Sequence, residues 1–114
     1  MKAKHLFLAL CALSLPVAAF AGGSATGTVS NLFVDASFSG VVYITLTGVK
    51  SGNPACSTAT RGQFVIPITA AVTYPYMFNL ALNAQFTGAT VTVTGQNQCN
   101  VDNNVETIQN IKIS

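Results

Sequence analysis

One segment of this chain carries a helical apolar period, and the stretches around it alternate with a period of two. That segment, residues 75–87, opens on Pro75, which suits the first turn of a helix, and is followed by Gly88, which suits the position just past a helix end. Met77, Phe78, Ala81, Leu82 and Ala84 form one broad apolar arc. Tyr76, Asn79, Asn83 and Thr87 form the opposite, polar stripe. Gln85 falls inside the apolar arc, and no residue of the segment is charged. The cleanest strand is 41–47, where Val42, Ile44 and Leu46 alternate with Val41, Tyr43, Thr45 and Thr47. The first set is expected to face the core and the second to project outward. Residues 28–35 mix parities, with Leu32 and Val34 against Val29 and Phe33, which predicts a bulge or two covered faces. Residues 63–68 place Phe64, Ile66 and Ile68 on one face, with Pro67 on the other, where it removes a ladder donor. Residues 90–95 and 105–113 read as the last two strands, and residues 22–27 as a loose, polar lead-in.

The element order is therefore β-β-β-α-β-β. That is the order of a five-stranded OB-type barrel, in which a helix between strands three and four plugs one end. Closure would also cover the sheet edges of a chain with few charges to keep its copies apart. The alternative is an open five-stranded sheet with the helix packed on one face. A β-sandwich fits less well, because it wants about seven strands and no central helix.

Residues 1–21 have the parts of a cleavable secretory signal peptide. Lys2 and Lys4 supply the positive start, 6–15 is the apolar run, Pro16 breaks it, and Ala19-Phe20-Ala21 places small residues before a cut after Ala21. An apolar run of about ten residues is too short for a bilayer, which takes roughly 20. Acylation at Cys11 would make the chain a lipoprotein instead. Leu10 before it, and the apolar run continuing past it, argue against that. The expected address is the bacterial periplasm or the exterior, with 22–114 as a single domain that does not span the membrane.

The mature residues carry Asp35, Lys50, Arg61, Asp102, Glu106 and Lys112, so their charges cancel. The whole chain is 7% charged, against about one-quarter in a typical domain. Without a basic patch there is no electrostatic footprint for nucleic acid. Cys56 and Cys99 are the two cysteines of the mature part, and an oxidising compartment would pair them. That bridge closes a loop of about 43 residues, worth roughly 4 kcal/mol in the chain-entropy picture.

Several runs together resemble a group of small exported bacterial proteins. They are Gly27-Thr28-Val29, residues 40–48, Pro54-Ala55-Cys56 leading to Arg61, and residues 90–95 followed by Cys99. The Pro-Ala-Cys segment with Arg61 is the most distinctive of them. The resemblance implies a fold and an exported address rather than an activity. In disulfide-closed OB architecture the chain is also distantly similar to the receptor-binding B subunits of pentameric bacterial toxins, a likeness of fold alone.

Catalytic chemistry is poorly provided for. The one histidine, His5, lies in the leader, so the mature part offers no imidazole base and no zinc ligand set. Asp102 and Glu106 flank a loop and could pair as in a glycosidase, but two loop acids, with Asp102 in an Asx-turn, are the simpler reading. Asn100, Asp102, Asn103 and Asn104 hold a single acid, too little for a strong calcium site. No enzyme, metal or cofactor is expected. The expected function is a non-enzymatic binding module for a glycan or peptide, on the outer face of strands two and three. That face would hold Tyr43, Thr45, Thr47, Arg61 and Gln63, beside Asp35, Ser37 and Phe38: aromatic faces amid directional hydrogen-bonding groups. Tyr74 and Tyr76 around Pro75 read as packing at the helix start. The alternative function is a structural, homo-oligomer-forming assembly subunit that uses the uncharged helix and threonine-rich strands as contact surface.

Overall fold

A computed structural model describes residues 22–58, 61–69, 71 and 73–114. The expected leader, residues 1–21, and its expected cleavage point lie outside the described residues. The elements are β1 (Ser24–Asp35), β2 (Val41–Leu46), β3 (Phe64–Pro67), α1 (Thr73–Thr87), β4 (Thr90–Gly95) and β5 (Glu106–Ile113). The five strands form one sheet that closes in a ring, in the order β1-β2-β3-β5-β4.

Closure depends on the length of β1. Its first half, Ser24 to Thr28, pairs antiparallel with β4, and its second half pairs antiparallel with β2. The register shifts between Val29 and Asn31, so the mixed parity of this stretch does mark a bulge. Here the expected loose lead-in is corrected: Ser24 to Gly27 are strand, because the edge of β4 offers them a full ladder of backbone partners. The open-sheet alternative falls because every strand of the order, β3 and β5 included, has a bonded neighbour on both sides. The ring is completed by a short parallel contact, Phe64 with Glu106 and Val65 with Thr107. Pro67 sits beyond that contact. The amide of Ile68 donates to Gly40 O of the β2 side, so by alternation the missing donor of Pro67 points away from β2, where pairing has already ended.

The parity of β2 places Val42, Ile44 and Leu46 inside the ring with Phe64, Ile66, Val91, Val93 and Ile108. Helix α1 closes one end of this core with buried Ala81 and Ala84, while Tyr74, Met77 and Phe78 pack around them. Tyr76, Asn79, Asn83 and Thr87 are exposed, as the stripe predicts, and Gln85 is exposed too. Gly88 takes φ 71° just past the helix end, a left-handed position that glycine fills without steric cost.

Cys56 and Cys99 form a disulfide, joining the β2–β3 connection to the β4–β5 connection with 6.1 Å between Cα atoms. Both loops are tied further by Thr58 N donating to Asn104 O. We expect the oxidised protein to bind no thiol reagent at these two positions. Replacing both by Ala is expected to lower stability by about 2–4 kcal/mol with the fold retained, measured by urea unfolding.

Candidate functional site

The outer face of β2 and β3 is occupied by the protein itself. Tyr43, Val41 and Val65 do project outward from the ring, but they are wholly buried in a second apolar cluster with Val105, closed by Val101. The Tyr43 hydroxyl donates to Asp102 Oδ2 at 2.5 Å, and Arg61 Nη1 donates to the phenol oxygen at 3.2 Å. Arg61 also lies 3.7 Å from Asp102 Oδ2, and the Phe33 ring stacks on Tyr43 with centroids 5.7 Å apart. Burial, and then the bond to Asp102, push the Tyr43 phenol above its ordinary pKa. The expectation that Tyr43 offers an open ring to a ligand is therefore corrected. Its direction from β2 is as expected, but the loop anchored by the disulfide folds over it.

The polar groups expected beside it are committed within the chain. Gln63 Oε1 accepts from Leu46 N at 2.7 Å and its Nε2 donates to Gly48 O at 2.9 Å, which clips the end of β2 to the start of β3. Thr47 Oγ1 accepts from Thr28 N, Thr45 is half-buried, and only Arg61 combines charge with exposure here. Asp35 Oδ1 accepts from the amide and hydroxyl of Ser37, at 3.0 and 2.9 Å, which lowers the Asp35 pKa and holds the β1–β2 turn. Asp102 Oδ1 accepts from Asn104 N, the Asx-turn geometry. Asp102 and Glu106 thus belong to two separate hydrogen-bond networks, not to one paired site.

What the turn displays is Phe38. It is half-exposed, and both Phe38 (φ 56°) and Ser39 (φ 69°) hold left-handed backbone conformations. For a bulky aromatic residue this conformation is disfavoured, and such outliers concentrate at functional sites. Beside the turn is an apolar pocket of about 210 Å³, lined by Val34, Val42, Ile66, Ile68, Tyr74 and Phe78 with two prolines. Val34 and Ile68 at its rim are more than half open to solvent or close to it, at 57% and 50%. Tyr74, expected to pack at the helix start, also meets the end of β3 across this pocket. The parity of Ile66 and Ile68 is the available signal, but it does not say that Ile66 is covered while Ile68 is left half open.

The other unforeseen feature is a buried ion pair. Glu106 is wholly buried, with Lys50 Nζ 2.9 Å from Oε1. Gly23 N donates to both carboxylate oxygens, and Asn97 N donates to Oε2 at 2.7 Å. The Lys50 ammonium also donates to Gln63 O and lies 4.2 Å from the centre of the Phe64 ring. Burial pulls its pKa below the ordinary lysine value, against the opposing pull of Glu106. Glu106 shares the inward parity of Ile108 on β5, which was the sign available in sequence. Among the described residues no three His, Cys, Asp or Glu groups gather as a metal site, and no helix is long and apolar enough to cross a membrane. No protein-family model, curated protein or solved structure matches this chain.

Proposed function

We propose that the chain is exported, loses residues 1–21, and serves as a non-enzymatic binding module on an OB-type barrel. The strand order β1-β2-β3-β5-β4, with the helix between β3 and β4, supports the barrel reading. The Cys56–Cys99 bridge supports an oxidising compartment. The site we assign is the apolar pocket beside the β1–β2 turn, not the face around Tyr43. The observation that carries it is a pocket with aliphatic and aromatic walls, lined by Val34 and Val42 on either side of the turn that holds the strained, half-exposed Phe38. Such a lining would leave the hydroxyls of a glycan unpaired, at a cost of about 1–3 kcal/mol each. It suits an apolar side chain presented by an extended peptide, so between the two ligand classes we favour the peptide.

The test is a display screen of extended peptides that vary one central residue, followed by titration of the best binders. Peptides with a central Leu or Phe should bind and those with a central Ser should not. Phe38→Gly relieves two costs at once, the left-handed aromatic and the exposed ring. It should leave the melting temperature unchanged or raised while weakening the peptide by about tenfold or more, in the 1–3 kcal/mol range of aromatic contacts. Binding unaffected by Phe38→Gly would remove the turn from the site. Glycan binding without peptide binding would restore the carbohydrate reading. A stable oligomer that buries the pocket would favour the assembly subunit.

A further inference from the structure

Glu106 sits in a cradle of glycine backbone. A Cβ added at Gly95 would lie 2.3 Å from Oε2, one at Gly22 would lie 2.4 Å from the same oxygen, and one at Gly23 would lie 2.7 Å from Oε1. A side chain at any of the three would collide with the carboxylate, and at Gly22 and Gly23 also with Gly95 O and the Lys50 stem respectively. Gly22 and Gly23 are themselves buried. The chain therefore brings the first residues after the expected cleavage point into direct contact with a buried carboxylate.

We propose that Glu106 is the docking site for the chain's own new α-ammonium, formed on Gly22 when the leader is removed. This rests on the reading of residues 1–21 as a signal peptide cut after Ala21. Hydrolysis of the Ala21–Gly22 bond consumes one water, leaves the carboxylate on Ala21, and places an amino group on Gly22 that takes a proton near neutral pH. Standard bond lengths put the Gly22 nitrogen within about 5.4 Å of Oε2 at most. Gly22 has no side chain of its own, and the space beside its Cα is bounded by Gly95 O, Asn97 N and the carboxylate, so a small turn about one backbone torsion brings the freed nitrogen toward Gly95 O and the carboxylate. A carboxylate offers about four acceptor positions. Among the described residues three donors make four contacts with this one, Lys50 Nζ on Oε1, Asn97 N on Oε2 and Gly23 N shared between both, so the new ammonium would take Oε2 from that shared amide. Lys50 is the one charged side chain paired with Glu106 among the described residues, and its ammonium is shared with Gln63 O and the Phe64 ring. Leader removal then does more than release the protein. It adds an ion-paired hydrogen bond between the start of the chain and β5, next to where β1 begins to pair with β4.

The experiment uses the exported protein, with its N-terminus established by intact mass. Its α-amino group is titrated by NMR after isotopic methylation, and its melting is compared with that of a form extended by one Gly before Gly22. An ordinary α-amino group titrates at about 7.7–8.0. The docked group should titrate above that range in the folded protein and return to it in denaturant. A folded-state pKa above the unfolded one gives stability that is full below about pH 7.7 and is lost as pH rises through the folded pKa. The native form should therefore melt at least about 4 °C higher than the extended form at pH 6.5, and the gap should close by about pH 10. Lys50 is common to both forms, so its own titration cancels in the comparison. An α-amino group titrating in the ordinary range, or two forms that melt together at pH 6.5, would overturn the proposal. A mass that places the N-terminus elsewhere defeats the cleavage reading instead. The same titration on a chain cut to begin at Gly22 then still decides the docking.

Discussion

Tyr43→Ala is expected to cost about 5 kcal/mol and to leave much of the protein unfolded at 37 °C, measured by urea and thermal denaturation. Truncating a buried large aromatic residue costs about 3–5 kcal/mol. Here it also strands Asp102, a buried carboxylate whose 2.5 Å partner is the lost hydroxyl. A partly unpaired polar group adds about 1–3 kcal/mol, and the total approaches the whole stability of a small domain. Tyr43→Phe separates the two contributions. It keeps the packing with Val65 and Phe33 and should lose only the smaller one. The same geometry has a pH signature. The raised Tyr43 pKa means that stability is full below about pH 10, the ordinary tyrosine value, and falls as pH rises through the folded value. A Tyr43→Ala protein that folds with near-native stability would show that the loop around Asp102 does not seal this face.

Lys50→Met should cost about 3–5 kcal/mol at pH 7, although it replaces a charge by an apolar side chain of similar length. The lysine stem and its packing on Phe64 are retained in kind. The loss comes from Glu106, a wholly buried carboxylate left with backbone donors alone. Adding Glu106→Gln to Lys50→Met should recover most of the loss, because the uncompensated charge is then gone. A double-mutant cycle reads the coupling directly. Strictly additive effects of the two substitutions would mean that the pair contributes nothing beyond its parts. Wild-type stability should also be nearly insensitive to salt, since the pair is shielded from screening by burial.

Tyr43 and Glu106 are both held by residues distant in sequence. Alternation over residues 41–47 correctly sent Val42, Ile44 and Leu46 one way and Tyr43 the other, because strand parity is a local property of the backbone. It was silent on whether anything lies over the outer face. Tyr43 is covered by Val101, Asp102 and Val105, about 60 positions away along the chain. Nothing in the local pattern of β2 reports a loop that a disulfide brings back from beyond β4. Gln63 shows the same limit. Its polarity suggested a ligand contact, and its amide is spent on Leu46 N and Gly48 O.

Glycine was similarly hard to read. Gly88 was legible because a helix end is a local event with a known backbone requirement. The glycines at 22, 23 and 95 were not, since what forbids a side chain there is a carboxylate from β5, visible only once β1, β4 and β5 are side by side. The stretch 22–27 looked loose for the same reason: small residues with no alternation read as a linker until a partner strand is found for them.

By itself, then, the order and period of the apolar residues determined the strands, the single helix and its buried arc. Cys56 and Cys99, the two cysteines beyond the expected leader, determined the bridge. These follow from short-range sterics, amphipathic period and counting. Tertiary structure alone decided that the ring closes through β1, that Tyr43 is sealed and Phe38 displayed, and that Glu106 is buried against glycines and Lys50. Those outcomes depend on which distant backbone covers which face. The free energy of burial and charge pairing is set by that covering and not by any residue's neighbours in sequence.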